Sequence, residues 1–313
     1  MPLNVRITSC SALVVGLLLV SGCGQDSGKP PSHPSASSSP SASSAGNLRV
    51  DGVSRTYLLH EPAADADEAP RPLVIAFHGR GSSAQEMRKM TGLDQAADRR
   101  GTLVAYPEGL RHGWGAGSKA TRQRPDPGAD VAFTEALVKK LVRSRQADPR
   151  KVYVAGFSNG GSMALRVAAQ RPGLVAGAAA VAGQLPAGSA EVKPTGPVPV
   201  LLIHGADDPA RPMAGLPRPG PAPAGQEPIT PSLSTRASAE AFVAAGTGKA
   251  VEKAEPGYER TVWGKGQVEL IVVRGAGHVW PGGDYAPPER FGKPSDALDA
   301  TDTALDFFAG GAS

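Results

Sequence analysis

Lys151–Arg171, KVYVAGFSNGGSMALRVAAQR, reads as a short apolar strand, a glycine-flanked serine and then a helix. Val152 to Ala155 form a β-rich run, and Met163, Ala164, Leu165, Val167, Ala168 and Ala169 suit a buried helix. Gly156, Ser158 and Gly160 between them make the G-x-S-x-G pattern of a sharp strand-to-helix turn that presents a serine hydroxyl. Gly156, Gly160 and Gly161 let strand and helix approach closely around a strained turn. In a chain with 39 glycines the pattern by itself is weak. An ordinary strand–turn–helix with an incidental serine is the competing reading, and the rest of the chain must decide.

Outward from this stretch, similar apolar runs recur. Val53–His60 alternates as an early strand, while Leu73–Phe77, Leu103–Tyr106, Val198–Ile203 and Leu270–Val273 are continuous and suit strands buried on both faces. Helical patterns lie between them at Val131–Val142, Ser162–Gln170 and Ser234–Ala245, and Thr301–Phe308 closes the chain. Strands alternating with helices predict an α/β fold, a mainly parallel doubly wound sheet with helices on both faces. Ligands of such sheets gather at the carboxyl ends of the strands, where Ser158 stands.

Two more strand ends carry a His-Gly pair, His78-Gly79 after LVIAF and His204-Gly205 after VPVLLI. A glycine-rich turn at the first can aim a backbone N–H, that of Arg80, at a bound carbonyl opposite the N–H of Asn159. His78 and His204 are expected to pin loops rather than to react. The general base is instead expected at His278, on a glycine-rich, mobile loop after a late strand. The order Ser158, Asp208, His278 is that of the α/β-hydrolases. In that chemistry the histidine removes the serine proton during attack, and the acid fixes the tautomer and stabilises the imidazolium.

The segments GVSRTYLLHEP, PLVIAFHGRGSS, VYVAGFSNGGSMA, LLIHGADDPARP and GAGHVWPGG resemble the secreted polyhydroxybutyrate depolymerase and feruloyl esterase family, in particular its lipoprotein branch. The resemblance covers about Leu48 to Phe308. It implies the α/β-hydrolase fold and carboxylic ester hydrolysis through an acyl-enzyme, with no metal or organic cofactor. Carried onto this chain, it makes Ser158 the nucleophile and His278 the base. The acid of its H-G-x-x-D-x-x-x-P pattern maps to Asp208, with Pro212 closing the pattern; a one-residue shift would give Asp207. It also implies Trp280 as an aromatic wall beside the histidine and Trp114 as a pocket residue, with plain packing the alternative for Trp114. Asp130 resembles the family's helix-capping aspartate. Arg80 stands where relatives often have a cysteine, which makes the mouth of the site more cationic. The Pro/Gly-rich insertion 214–231 reads as a solvated loop, with a rim over the entrance as the alternative. Acyl transfer to cell-envelope glycans on the same residues is the competing activity, and a non-catalytic lipoprotein the more distant one.

The remaining features concern location and partners. Residues 1–22 read as a lipoprotein-type signal peptide, and Val20-Ser21-Gly22-Cys23 matches a lipobox in which Cys23 becomes the lipidated N-terminus. The other cysteine, Cys10, would leave with the signal peptide, so no disulfide is expected. Of the 22 residues Gln25 to Gly46, 18 are Ser, Pro, Ala or Gly. Residues 23–46 are therefore expected to be a lipidated, disordered tether reaching on the order of 25 Å. Residues 47–313 suffice for one catalytic domain, expected to be monomeric, extracellular and held to the outer face of the membrane by lipid alone. The charge of +4, from 33 basic and 29 acidic residues, carries no broad basic patch, so no nucleic-acid partner is expected. The expected partner is a small or oligomeric ester.

Overall fold

The computed structural model describes residues 42–63, 70–144, 147–219, 228–244, 247–285 and 287–310. The signal peptide, Cys23 and the tether up to residue 41 lie outside them. The strands, in chain order, are β1 (Ala42–Val50), β2 (Val53–Glu61), β3 (Arg71–Phe77), β4 (Leu103–Pro107) and β5 (Ala147–Phe157). They continue with β6 (Gly177–Val181), β7 (Val200–Gly205), β8 (Val251–Glu255), β9 (Tyr258–Trp263) and β10 (Val268–Val273). The helices are α1 (Ala84–Thr91), α2 (Leu93–Asp98), α3 (Ala129–Arg143), α4 (Asn159–Gln170), α5 (Thr235–Glu240) and α6 (Ala300–Phe308).

All ten strands form one sheet in the order β1-β2-β4-β3-β5-β6-β7-β10-β9-β8. The six from β4 to β10 run parallel, and antiparallel pairs flank them at both edges. The period-2 alternation of strand side chains sorts the core into two layers. Leu73, Ile75 and Phe77 of β3 face α3 and α4, whereas Val74 and Ala76 face α1, α2 and α6. The predicted α/β architecture with helices on both faces is what forms.

Some expectations change. The tether was expected to continue to Gly46, but Ala42–Gly46 pair with β2 in register, Gly46 opposite Tyr57. Backbone pairing asks for no apolar side chain, and a Cβ on Gly46 would strike the Tyr57 ring, 2.2 Å away. The helix expected to reach Ala245 stops at Glu240, where the chain tightens into i−3 bonds from Phe242 to Ala239 and from Val243 to Glu240. Asp130 does not cap α3: Gly128 holds that position, and Asp130 lies buried inside the first turn. Its carboxylate instead accepts from the Arg55 guanidinium at 2.8 Å and from the Gly115 N–H at 2.7 Å.

Candidate active site

Ser158 joins β5 to α4 with φ 55° and ψ −115°, a backbone conformation that costs a non-glycine residue on the order of 1–3 kcal/mol. Its surroundings hold it there. The Ser158 N–H donates to Val181 O at 2.8 Å, and its carbonyl accepts from Ser162 N–H at 3.0 Å. A Cβ at Gly160 would lie 2.1 Å from the Phe77 carbonyl oxygen, so only glycine lets α4 start this close to β3. The turn therefore lifts the hydroxyl off the strand end and into a cavity.

Asp208 and His278 arrive from the ends of β7 and β10, which pair in parallel. At Gly205 a Cβ would sit 2.2 Å from Gly277 O, and this close approach brings the two loops together. His278 Nδ1 lies 2.7 Å from Asp208 Oδ2, and His278 Nε2 lies 2.8 Å from Ser158 Oγ. Asp208 Oδ1 accepts the N–H groups of Ala210 at 2.8 Å and Arg211 at 2.7 Å, so the carboxylate cannot turn away. Asp207 is exposed. The glycines around His278 serve close packing: Gly277 N–H donates to Lys293 O at 2.9 Å and His278 N–H to Phe291 O at 2.6 Å.

The two other strand-end histidines hold loops. His78 Nδ1–H donates to Gly79 O at 2.7 Å, and its Nε2 accepts from Gly109 N–H at 3.0 Å. His204 Nε2–H donates to Arg211 O at 2.6 Å. Burial lowers both pKa values, more than the backbone hydrogen bonds raise them. The 3.5 Å approach of His204 to Asp208 is thus between a neutral imidazole and a carboxylate already committed elsewhere.

A cavity of about 590 Å³ opens over Ser158 and His278. Arg80 and Asn159 line it, and the Asn159 N–H, at the first position of α4, has no partner within the helix. Its apolar wall is Met90, Phe157, Ile229, Tyr285, Pro287 and Phe291. Phe157 lies against the His278 ring at 4.9 Å between centroids, and Phe291 at 5.9 Å. Ile229 belongs to the Pro/Gly-rich insertion, which thus contributes to the rim rather than being only solvated loop.

The two tryptophans do not form that wall. Trp280 is only 4% exposed and donates Nε1–H to Thr301 Oγ1 at 3.0 Å, away from the cavity. Trp114, 3% exposed, packs edge-on against Phe77 and donates Nε1–H to His78 O at 2.9 Å. Both indoles find buried acceptors in the core, which decides their orientation. Phe157 could have been found from its place beside Ser158. Tyr285 and Phe291 carry no such signal, because the loops that bring them in have no pattern. Among the described residues no cluster of three or more His, Cys, Asp or Glu is placed to hold a metal ion.

Comparison with known proteins agrees with this picture. Residues 55–193 match a family model described as "Esterase PHB depolymerase". The chain is 46% identical over 279 residues to "Putative esterase NocK" of Nocardia uniformis subsp. tsuyamanensis, covering 84% of this chain and 81% of that one. It is 28% identical over 161 residues to "Feruloyl esterase B" of Piromyces equi, but covers only 29% of that protein. Among solved structures, "Acetyl xylan esterase from Aspergillus awamori" superposes with a TM-score of 0.58 over 86% of this chain and all of that one. At 16% identity this likeness speaks to the fold alone. The chain has the α/β-hydrolase fold and belongs to the esterase PHB depolymerase family of carboxylic ester hydrolases.

Proposed function

We propose that the protein is a serine esterase in which Ser158, His278 and Asp208 act as nucleophile, base and orienting acid. The observation that carries this reading is the unbroken relay from Asp208 through His278 to Ser158, 2.7 and 2.8 Å long, ending in the cavity. Ser158 Oγ attacks the ester carbonyl as its proton passes to His278 Nε2. The oxyanion is received by the backbone N–H groups of Arg80 and Asn159. His278 then returns the proton to the departing alcohol, leaving an acyl-enzyme. Water repeats the sequence and frees the acid. The aromatic wall and the cavity volume suit a short acyl, aryl or hydroxyacyl ester. The names of the relatives, feruloyl and acetylxylan esterases among them, lie within that range.

The test is hydrolysis of p-nitrophenyl acetate and butyrate by residues 42–313, then of feruloyl esters and hydroxybutyrate oligomers. Ser158→Ala is expected to abolish turnover while retaining the native melting transition; turnover surviving in that variant overturns the assignment. From the lipobox Val20-Ser21-Gly22-Cys23 we further propose that the protein is an extracellular lipoprotein anchored through Cys23. Cys23→Ser is expected to move it from the membrane fraction to the soluble one, and unchanged fractionation would refute the anchor.

A further inference from the structure

We infer that the cavity beside Ser158 selects esters bearing a free carboxylate, and that the guanidinium of Arg211 receives it. This rests on reading the cavity as the ester-binding site.

Arg211 follows the acid loop, and its backbone is pinned on both sides. Its N–H donates to Asp208 Oδ1 at 2.7 Å, and its carbonyl accepts from His204 at 2.6 Å. The side chain lines the wall that also holds Ser158 and His278. Only 6% of the residue is exposed. Among the described residues its guanidinium makes no hydrogen bond or ion pair. A cation this buried without a partner is costly, and natural chains rarely leave one so.

Among the described residues the other buried arginines, Arg55 and Arg166, each have side-chain partners, although Arg55 Nε has none. Arg55 meets Asp130 at 2.8 Å, and Arg166 meets Gly117 O at 2.7 Å and Gln170 at 2.9 Å. The exception occurs in the cavity wall. Burial, and next the neighbouring charge of Arg80, push the Arg211 pKa down to about 10 against the pull of Asp208, so the group remains charged at neutral pH. Asp208 forms no ion pair with it. One carboxylate oxygen faces His278 and the other takes two backbone N–H groups. The other charged groups in the wall are Arg80, Lys89, Glu86 and Asp284, and Glu86 already accepts from the hydroxyls of Ser82 and Ser83.

A neutral acetyl or aryl ester would leave the Arg211 guanidinium as it is. A carboxylate on the same molecule would meet its planar fork with two charge-assisted hydrogen bonds. The stability sacrificed in the free protein is then recovered only with the right substrate, which is how a buried unpartnered charge yields specificity.

Two substrate pairs test this, each differing in charge but not in size: 3-acetoxybutyrate against 3-acetoxybutyramide, and monoethyl adipate against ethyl adipamate. The acid is expected to be favoured at least tenfold in kcat/KM, chiefly through KM, in one pair or both. Arg211→Gln should bring the ratio to about one, and Arg211→Lys should keep part of it. Turnover of the amides reads the esterase assignment, while the ratio reads Arg211. A second arm needs no turnover: calorimetry on Ser158→Ala should detect the acids and not the amides, and Ser158→Ala with Arg211→Gln should detect neither. Arg211→Met should fold and melt higher than the natural protein, because it removes an unpartnered buried cation. A ratio near one in both pairs, a preference that survives Arg211→Gln, equal binding of acid and amide, or a lower melting temperature in Arg211→Met would each overturn the proposal.

Discussion

The carboxamide of Asn159 grips the backbone of Trp114 on both sides. Its Oδ1 accepts the Trp114 N–H at 2.7 Å, and its Nδ2 donates to the Trp114 carbonyl at 3.1 Å. All four groups are buried, so the residue after Ser158 locks the loop from β4 against the start of α4. Asn159→Ala would strand two buried backbone groups, each worth about 1–3 kcal/mol when left unsatisfied. Urea unfolding should show a loss in that range or somewhat above it. Turnover should fall as well, because the indole that supports His78 loses its tether.

The elbow offers a paired test of close approach and backbone strain. Gly160→Ala would drive a Cβ to within 2.1 Å of the Phe77 carbonyl oxygen, whereas a Cβ at Gly173 meets nothing within 4 Å. Gly160→Ala is expected to yield little soluble protein, and Gly173→Ala to stay within about 0.5 kcal/mol of the natural protein. At Ser158 itself, Ser158→Gly should be more stable than Ser158→Ala by about 1 kcal/mol. Glycine accepts φ 55° without steric cost, and alanine does not. Equal melting temperatures for the two would mean that the turn is not strained.

These local details divide into what residue patterns can state and what they cannot. LVIAF and VPVLLI announce themselves as central strands because both faces of each are buried, and the loops after them carry candidate site residues. β6, by contrast, is Gly177-Ala178-Ala179-Ala180-Val181, poor in strand-forming residues and held only by its neighbours β5 and β7. β8 is mostly exposed and shows no apolar run. α1 was legible in principle from its Ser-x-x-Glu start: the Ser83 hydroxyl accepts the Glu86 N–H at 3.2 Å as N-cap and donates to the Glu86 carboxylate at 3.0 Å. The G-H-x-W-P-G motif gives the position of Trp280 but not the turn of its ring, which a buried Thr301 hydroxyl decides. That the Arg211 guanidinium has no partner among the described residues is a property of packing alone.

Stability should depend on pH through the buried histidines. Burial holds the imidazoles of His78 and His204 neutral, with pKa values below the ordinary one of about 6.5. Above that value neither state of the chain binds these protons. Below it the unfolded chain takes them up first, so stability present above about pH 6.5 is lost as pH falls. The limiting slope is about 1.4 kcal/mol per pH unit for each histidine. Melting temperatures measured from pH 7.5 to pH 5.0 should decline, and His204→Gln, which keeps a donor for Arg211 O, should lessen the decline. An unchanged slope in that variant would show that His204 is not one of the groups responsible.

The adjacent aspartates give the sharpest test of the site. Asp208 Oδ2 reaches His278 at 2.7 Å, whereas Asp207 is exposed and contributes its backbone N–H to Ala276 O at 3.0 Å. Asp208→Asn would present an amide to Nδ1 or force the opposite tautomer on His278, either way unsuiting Nε2 to take the serine proton. A fall in kcat of about 10³–10⁴ is expected, the size of effect that follows loss of the acid in such relays. Asp207→Asn should stay within about twofold, as befits a surface change away from the reacting atoms. Because Asp208 Oδ1 also anchors the N–H groups of Ala210 and Arg211, Asp208→Asn should lower the melting temperature too, whereas Asp207→Asn should not. Comparable losses of kcat in the two variants would mean that the acid loop rearranges by one residue when substrate binds.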